Sequence, residues 1–151
     1  MRRLIIVITV LSALVAAPGA SSDPPLRELL PPLGEYTSTA CGFPVVIETV
    51  HENFTLKVFP EGRPVLEMVT GSAVLRLTSE DASLTLNVSG PTFVRQSPDG
   101  SVTVSGAGPW LFFDHPFTNL PPLAYLTGTI TFGEDTVTAS GRTVDLCALL
   151  A

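Results

Sequence analysis

Two short segments of the sequence carry the side chains that acid–base chemistry would need. The first contains Glu48, His51 and Glu52, the densest group of titratable residues in the chain. Along a regular strand, residues 48 and 52 share one face and residue 51 lies on the other. A general acid and base must be aimed at one point, so this group needs a turn at 51–53 to bring it together. A polar hairpin tip explains the same residues without any catalysis.

The second segment places Asp114 and His115 beside aromatic residues, and these two are the candidate acid and base if the protein is an enzyme. Aromatic side chains near a histidine can line a ligand pocket, and they also pack in the core where a strand leaves a sheet. The sequence leaves both explanations open. The candidate lining of a pocket or interface consists of Trp110, Phe112, Phe113 and Tyr125.

Motifs for other chemistries are missing from the sequence. The chain has 2 histidines and no further ligands spaced for a transition metal, and its acidic loop residues do not match a calcium loop. It has no Gly-x-Ser-x-Gly nucleophile motif. The glycine-rich segment 106–109 has no lysine and no helical pattern after it, so it does not predict a phosphate site. We therefore expect no metal and no cofactor.

The N-terminal residues have the three-part pattern of a secretory signal peptide over residues 1–22. Basic residues at Arg2 and Arg3 precede an apolar run from 4 to 17, and small residues follow. This run is shorter than the ~20 residues of a membrane span. Cleavage would leave 6 basic and 14 acidic residues, a net charge of −8. We expect a secreted protein without a membrane span, and its charge disfavours nucleic acid and anionic lipid as partners.

Two cysteines, Cys41 and Cys147, enclose the part of the sequence with strand patterns. In an oxidising compartment an even number of cysteines predicts pairing, although free thiols or intermolecular bridges remain alternatives. A bridge across this separation would stabilise the fold by about 4–5 kcal/mol through loop closure. Asn53 and Asn87 also match the N-glycosylation acceptor pattern, and the sequence does not say whether either is used.

The sequence between the cysteines alternates with a period of two. Segments such as 83–89, 101–105 and 127–132 place aliphatic residues on one face and hydroxyl residues on the other, which is typical of half-buried strands. Turn signals at 97–100 and 133–135 separate the strands. We expect one β domain over 41–151, a short helical turn within 144–150, and a proline-rich N-terminal tether over 23–40.

This pattern predicts an all-β fold, an antiparallel meander of about 8–10 short strands. Such a meander can form a closed or nearly closed β-barrel or a β-sandwich. Exposed strand edges usually carry lysine, proline or inward-pointing charges, and this chain has a single lysine, Lys57. Because a barrel has no edges to protect, we favour the barrel over the sandwich.

Several segments resemble a group of small secreted proteins from actinobacteria that have no assigned activity. The resemblance extends from about Ala40 to the end of the chain. The segments that carry it are Ala40-Cys41-Gly42-Phe43-Pro44-Val45, Leu86-Asn87-Val88-Ser89-Gly90-Pro91, Ser97-Pro98-Asp99-Gly100-Ser101, Gly106-Ala107-Gly108-Pro109-Trp110-Leu111, Leu123-Ala124-Tyr125-Leu126-Thr127-Gly128 and Asp145-Leu146-Cys147-Ala148-Leu149. The resemblance implies an exported β domain with one bridge, and it supplies no catalytic residues.

Three functions are compatible with these observations. We expect a non-enzymatic extracellular module that binds a small apolar ligand, a cell-wall component or another protein. A small barrel enzyme of the isomerase or cyclase type, acting on a hydrophobic substrate, is the second hypothesis. A surface protein that self-assembles through its strand edges is the third. An enzyme needs a histidine or a carboxylate directed into a cavity, whereas a binding module needs only an apolar cavity.

Overall fold

The computed structural model describes residues 23–60 and 62–151. The signal peptide predicted over residues 1–22 lies outside this range. The described residues form 14 strands and one short helix, so the all-β prediction is confirmed, and the number of strands exceeds the 8–10 expected. No helix in this part of the chain is long and apolar enough to cross a membrane.

The strands alternate with short turns along the chain, and the helix is its last element. Their bounds are β1 Leu26–Leu29, β2 Glu35–Ser38, β3 Val45–Glu52, β4 Thr55–Val58, β5 Val65–Thr70, β6 Ala73–Thr78, β7 Ser83–Asn87, β8 Thr92–Gln96, β9 Val102–Ala107, β10 Trp110–Phe113, β11 Leu123–Leu126, β12 Thr129–Phe132, β13 Val137–Ala139, β14 Thr143–Asp145 and α1 Cys147–Leu150.

The strands form three sheets in which every pairing is antiparallel. The seven-stranded sheet has the order β1-β4-β5-β8-β9-β12-β13, the four-stranded sheet β2-β3-β6-β7, and the three-stranded sheet β10-β11-β14. Consecutive strands often belong to different sheets although no long connection separates them. Many consecutive strands therefore form one long strand that bends sharply. The part before the bend, which we call one arm, belongs to one sheet, and the part after it, the other arm, belongs to another sheet.

The bend between β3 and β4 shows how such a corner is built. The backbone N–H of Asn53 donates to the carbonyl of Ser72 at 3.0 Å. The Asn53 side-chain oxygen accepts from the Ser72 backbone N–H at 2.8 Å and from its hydroxyl at 2.9 Å. Only glycine fits beside it, because a Cβ on Gly71 would lie 2.3 Å from the Asn53 carbonyl oxygen. The polar hairpin tip expected at 51–53 is therefore wrong, since the chain continues there into the next sheet.

A fork in the meander separates the four-stranded sheet from the three-stranded sheet. β8 and β9 are paired, but their continuations β7 and β10 belong to different sheets. Where the two strands separate, the Ala107 N–H donates a backbone hydrogen bond to the Pro91 carbonyl at 3.0 Å. Gly90 permits this approach, because a Cβ there would lie 1.9 Å from the Ala107 carbonyl oxygen. We refer to this place, residues 88–91 and 107–110, as the fork.

The expected closed barrel is not supported, because none of the three sheets closes on itself. β1 and β13 are the two ends of the seven-stranded sheet, and the fork interrupts the ladder elsewhere. The lack of edge-protecting lysines misled the prediction, because a shortage of lysines does not require that the edges be removed by closure. Open antiparallel sheets of this kind are compatible with the alternative expectation, a β-sandwich.

Two apolar cores lie on the two faces of the three-stranded sheet. Alternate residues of β10 and β11 point to opposite sides, as in any strand. Leu123 packs with Ile47 and Leu77 of the four-stranded sheet in the first core. On the other side, Phe112 and Leu126 pack with residues of β12 and β13 in the second core. The three-stranded sheet is thus the middle layer between the two larger sheets.

The proline-rich segment 23–40, expected to be a tether, contributes two edge strands to the sheets. β1 pairs with β4, and β2 pairs with β3. The prolines do not prevent this pairing, because Pro24 and Pro25 precede β1, while Pro31 and Pro32 lie between β1 and β2. The amino-acid composition of this segment predicts only an extended backbone. Its residues form strands because β3 and β4 supply the hydrogen-bonding partners.

Several local predictions are confirmed. Residues 97–100 form the β8–β9 hairpin turn, with the Gly100 N–H donating to the Ser97 carbonyl at 2.9 Å. The turn at 133–135 connects β12 to β13, and here the Gly133 N–H donates to the Thr136 carbonyl at 2.8 Å. The helical turn is α1, and Cys41 and Cys147 form a disulfide. The bridge fastens α1, which follows the three-stranded sheet, to the β2–β3 connection of the four-stranded sheet.

Candidate functional site

An apolar cleft of about 240 Å³ opens at the fork. Its wall combines residues from both arms of the bent strands and from both sides of the fork. The residues that line it are Leu33, Phe54, Val69, Leu75, Val88, Gly90, Thr92, Trp110, Leu111 and Phe113.

The lining of the cleft determines which chemistry it can support. Thr92 contributes the one polar side chain of this lining, and no histidine, carboxylate or cysteine is part of it. The Thr92 hydroxyl therefore has no histidine or carboxylate beside it in the lining that could activate it as a nucleophile. It can exclude water and hold apolar atoms by contact.

Trp110 forms a rigid part of the wall. Its ring lies against the backbone of Gly106, where a Cβ would approach the ring carbon Cζ2 to 2.2 Å. It stacks on Phe112 with a centroid distance of 5.8 Å and packs against Phe132 at 5.5 Å. Trp110 is also the single tryptophan of the chain, so tryptophan fluorescence reports on the surroundings of this one ring, which lies between the cleft and the second core.

The structure divides the four aromatic residues that were predicted to line a pocket or interface. Trp110 and Phe113 do line the cleft. Phe112 is only 8 % exposed and packs in the second core. Tyr125 packs beside the first core and donates its hydroxyl to the Asn87 carbonyl across the fork, at 3.0 Å. Burial raises the pKa of Tyr125, so this phenol stays a neutral donor.

Asp114 does not act together with His115. The residue adopts a left-handed backbone conformation, φ +47°, which aspartate tolerates better than most residues. Its carboxylate accepts hydrogen bonds from the Tyr36 hydroxyl at 2.6 Å and the Ser38 hydroxyl at 2.9 Å. The hydrogen bond to Asp114, and the nearby negative charge, raise the pKa of Tyr36. Asp114 thus ties the end of β10 to β2.

His115 belongs to the connection between β10 and β11. Its Nε2 lies 2.9 Å from the Pro121 carbonyl oxygen, and its ring stacks on Phe117 at 5.6 Å. Within the described part of the chain, its Nδ1 is buried without a hydrogen-bond partner. Neither His115 nor Asp114 is among the residues that line the cleft. The structure therefore does not join these two residues into an acid–base pair.

The group Glu48, His51 and Glu52 is arranged differently from the expectation. A register shift between Thr49 and His51 places His51 opposite Val74 and Glu48 opposite Arg76, so His51 and Glu48 share a face. Glu48 forms an exposed ion pair with Arg76 at 3.1 Å. The predicted distribution of the three residues over the faces of β3 is wrong because the bulge changes the alternation.

The carboxylate of Glu52 holds the backbone that borders the cleft. It accepts the Leu33 N–H at 2.9 Å, while the Gly34 carbonyl accepts the Thr49 N–H at 3.3 Å. Leu33 is 67 % exposed and still lines the cleft. The segment 30–34, which joins β1 to β2, therefore forms one rim of the opening.

Both candidate glycosylation sites use their side-chain oxygens in local structure. Asn53 builds the corner described above, and the Asn87 oxygen accepts the Ser89 N–H at 2.8 Å. Their use for glycosylation stays a prediction. Over residues 23–60 and 62–151, no group of three or more histidine, cysteine or acidic side chains could hold a metal ion.

The sequence did not indicate most of the cleft wall. Val69 lies in β5, whereas the other apolar lining residues outside the β10 region and β6 lie in connections between strands, namely Leu33, Phe54 and Val88. In the sequence, none of them differs from other apolar residues of such segments. They become neighbours through the corners and the fork, which are long-range features. The glycines near the fork, Gly90 and the 106–108 pair, were the single local signal that the backbones approach closely there.

Comparison with known proteins finds no match, because no protein-family model, no curated protein and no solved structure is similar enough to this chain. The resemblance to small secreted proteins of actinobacteria therefore stays a prediction.

Proposed function

We propose that this protein is a secreted β module that binds a small apolar molecule, or the apolar end of a larger one, in the cleft at the fork. The observation that carries the proposal is the cleft itself, a concave surface whose lining is apolar except for Thr92. Pockets for small ligands combine such linings with a few polar groups that set orientation. The Thr92 hydroxyl fits that orienting role.

The size of the cleft limits what can bind. An enclosed apolar cavity of ~150 Å³ binds one benzene molecule. At about 240 Å³, the cleft accommodates a single ring with a substituent or a short hydrocarbon chain. It is smaller than the roughly 300–1,000 Å³ of pockets that enclose drug-sized ligands. A larger ligand would leave its remaining part in solvent, next to the rim at 30–34.

Secretion belongs to the same proposal. The signal pattern at residues 1–22 predicts export, and the Cys41–Cys147 disulfide is compatible with an oxidising compartment. N-terminal sequencing of the protein from culture medium tests this part. Export requires a mature N-terminus near residue 23, and an unprocessed chain retained inside the cell contradicts it.

Fluorescence of Trp110 tests binding directly. We expect toluene and 1-octanol, titrated separately into the mature protein, to cause saturable changes in tryptophan emission. The variant Val69→Phe fills the cleft from its wall, so its apparent affinity should fall by about tenfold or more. The matched control is Val102→Phe, because Val102 is 56 % exposed and lies outside the lining.

Two results would contradict the proposal. Emission that changes linearly with probe concentration, without saturation, indicates solvent effects and no site. Equal affinities for Val69→Phe and the wild type place the binding elsewhere. Mass spectrometry of the protein purified from its native medium then identifies the natural ligand as a reproducible co-purifying small molecule.

The enzyme hypothesis lacks a supporting observation, since its candidate residues Asp114 and His115 are not in the cleft wall. Self-assembly, the third hypothesis, requires an edge strand whose backbone N–H and carbonyl groups are free to pair with another chain.

A further inference from the structure

The two edges of the seven-stranded sheet are treated differently by the fold. At β13, the Asn119 amide donates to the Val137 carbonyl at 2.6 Å, and its oxygen accepts the Val137 N–H at 3.0 Å. The side chain thus imitates a neighbouring strand and seals this edge. Within the described residues, β1 pairs on one side only, with β4, and all four of its residues are exposed. The β1 edge is therefore open.

The direction of the backbone groups on β1 follows from one hydrogen bond. The Leu30 N–H donates to the Phe54 carbonyl at 2.9 Å, so residue 30 faces β4. Successive residues of an antiparallel strand alternate between the two sides. Residues 28 and 26 therefore also bond towards β4, whereas Arg27 and Leu29 direct their N–H and carbonyl groups away from the sheet. These four groups are the open hydrogen-bonding positions of the edge.

The side chains of the same two residues lie on a basic face. Arg27 is directly opposite Lys57, and like charges in such a pair repel each other. On the same face, two strands further, the Arg95 guanidinium stacks 4.4 Å from the centre of the Phe93 ring and donates to Ser105. Within the described strands of this sheet, the cross-strand register places no carboxylate on that face.

This cluster of cations is unusual for an acidic chain, whose net charge is −6. Neither Arg27 nor Lys57 forms an ion pair within residues 23–60 and 62–151. A negatively charged group beside Arg27 would relieve the repulsion between the two cations. The same position offers open backbone groups, so a partner strand can supply both interactions at once.

A second copy of the chain is a poor partner for this edge. Antiparallel pairing requires that outward residues oppose outward residues. A twofold axis at residue 27 or 28 then places Arg27 against Arg27, or Glu28 against Glu28. An axis at Leu29 places Arg27 opposite Pro31, which has no N–H to donate. Each symmetric register meets a like-charge pair or loses a hydrogen bond.

We propose that the β1 edge binds an extended peptide segment of another protein, which adds as an eighth strand of the seven-stranded sheet. The segment carries an acidic residue opposite Arg27, where it also approaches Lys57, and an apolar residue two positions away, opposite Leu29. Leu29 is 72 % exposed in the absence of such a strand. This site is separate from the cleft and does not depend on ligand binding there.

Two labelled peptides test the proposal. One repeats glutamate, threonine, valine and threonine, which places acidic and apolar residues alternately on one face, and the other replaces each glutamate by lysine. We expect the acidic peptide to bind at least about fivefold more tightly in fluorescence anisotropy. Amide hydrogen exchange should slow at Arg27 and Leu29, whose N–H groups become bonded.

Two variants separate edge addition from simple charge attraction. Leu29→Pro removes an outward N–H without affecting the bonds to β4, so binding of the acidic peptide should be lost. The Trp110 emission of this variant confirms that it folds. Arg27→Glu should reverse the preference towards the lysine peptide, while Arg142→Glu, the same charge change at an exposed turn, should retain the wild-type preference.

The following outcomes would overturn the proposal. Equal affinities for the acidic and the lysine peptide would show that Arg27 and Lys57 do not select the bound segment. Unchanged binding by Leu29→Pro, or binding to phosphatidylglycerol vesicles that survives this substitution, indicates an electrostatic contact without strand addition. Sedimentation that shows a wild-type dimer, lost in Leu29→Pro, identifies a second copy as the occupant.

Discussion

Removal of the disulfide should cost this domain a large part of its stability. The change is the double substitution Cys41→Ala and Cys147→Ala, which prevents the bridge without introducing a buried hydroxyl. The bridge joins residues 106 positions apart, so it closes nearly all of the described chain into one loop. Loop-closure entropy for this length corresponds to about 4.8 kcal/mol at 25 °C. Domains of this size are stable by only about 5–15 kcal/mol.

The position of the bridge adds a local effect. Cys147 is the first residue of α1, and the flanking side chains of Leu146 and Leu150 are almost fully buried in the first core. Both cysteines also pack against that core. Without the covalent link, α1 can detach from the four-stranded sheet, and this would expose the two leucines. We therefore expect the domain to unfold from this end.

Urea denaturation followed by Trp110 emission and by circular dichroism measures the effect. With a slope of about 2 kcal/mol per molar urea, a loss of about 4.8 kcal/mol lowers the midpoint by about 2.4 M. The wild-type protein reduced with a phosphine is the matched control, since it keeps both sulfur atoms in the core. A shift below about 0.5 M in both samples would refute the reasoning. If the urea midpoint fell strongly in the double variant and not in the reduced wild type, packing of the sulfur atoms would be the source of the stability.

Three further predictions concern single side chains. Asp114→Ala removes the acceptor of the Tyr36 hydroxyl, so the pKa of Tyr36 should fall towards its ordinary value in an ultraviolet pH titration. Gly90→Ala forces a Cβ to within 1.9 Å of the Ala107 carbonyl oxygen, and thermal unfolding should show a loss of about 1–3 kcal/mol. Asn119→Ala unseals the β13 edge and should increase concentration-dependent association in sedimentation experiments.

Local chemistry in the sequence was sufficient to predict many strands and turns. The alternation at 83–88 is the inward and outward pattern of β7, and the Pro-Asp-Gly sequence at 98–100 makes the β8–β9 turn. In that turn, Asp99 accepts hydrogen bonds from the hydroxyl and the N–H of Ser101, which lower its pKa. Such interactions span a few residues, so a single sequence contains all their partners. The disulfide followed from the even number of cysteines.

Features that depend on distant residues were not predictable in the same way. β1 and β2 lie in a proline-rich segment whose own preference is only extended backbone, and pairing with β3 and β4 makes them strands. The bulge at Val50 reversed the expected face of His51, because register is set by the partner strand β6. Half of the predicted aromatic pocket residues line the cleft, because alternation does not show that Trp110, on the other face of β10 from Phe113, reaches the cleft at the fork.

The open shape of the sheets and the cleft have a common cause at the fork. Gly90 and Gly108 let the two backbones approach so closely that β7 and β10 diverge to different sheets beyond them. Had β7 and β10 stayed paired, the meander would approach a barrel, and the Tyr125 hydroxyl would not be needed to satisfy the Asn87 carbonyl. The divergence leaves an interior wedge that side chains of both arms line and do not fill. The interruption that prevents closure therefore also creates the cleft in which we propose that an apolar ligand binds.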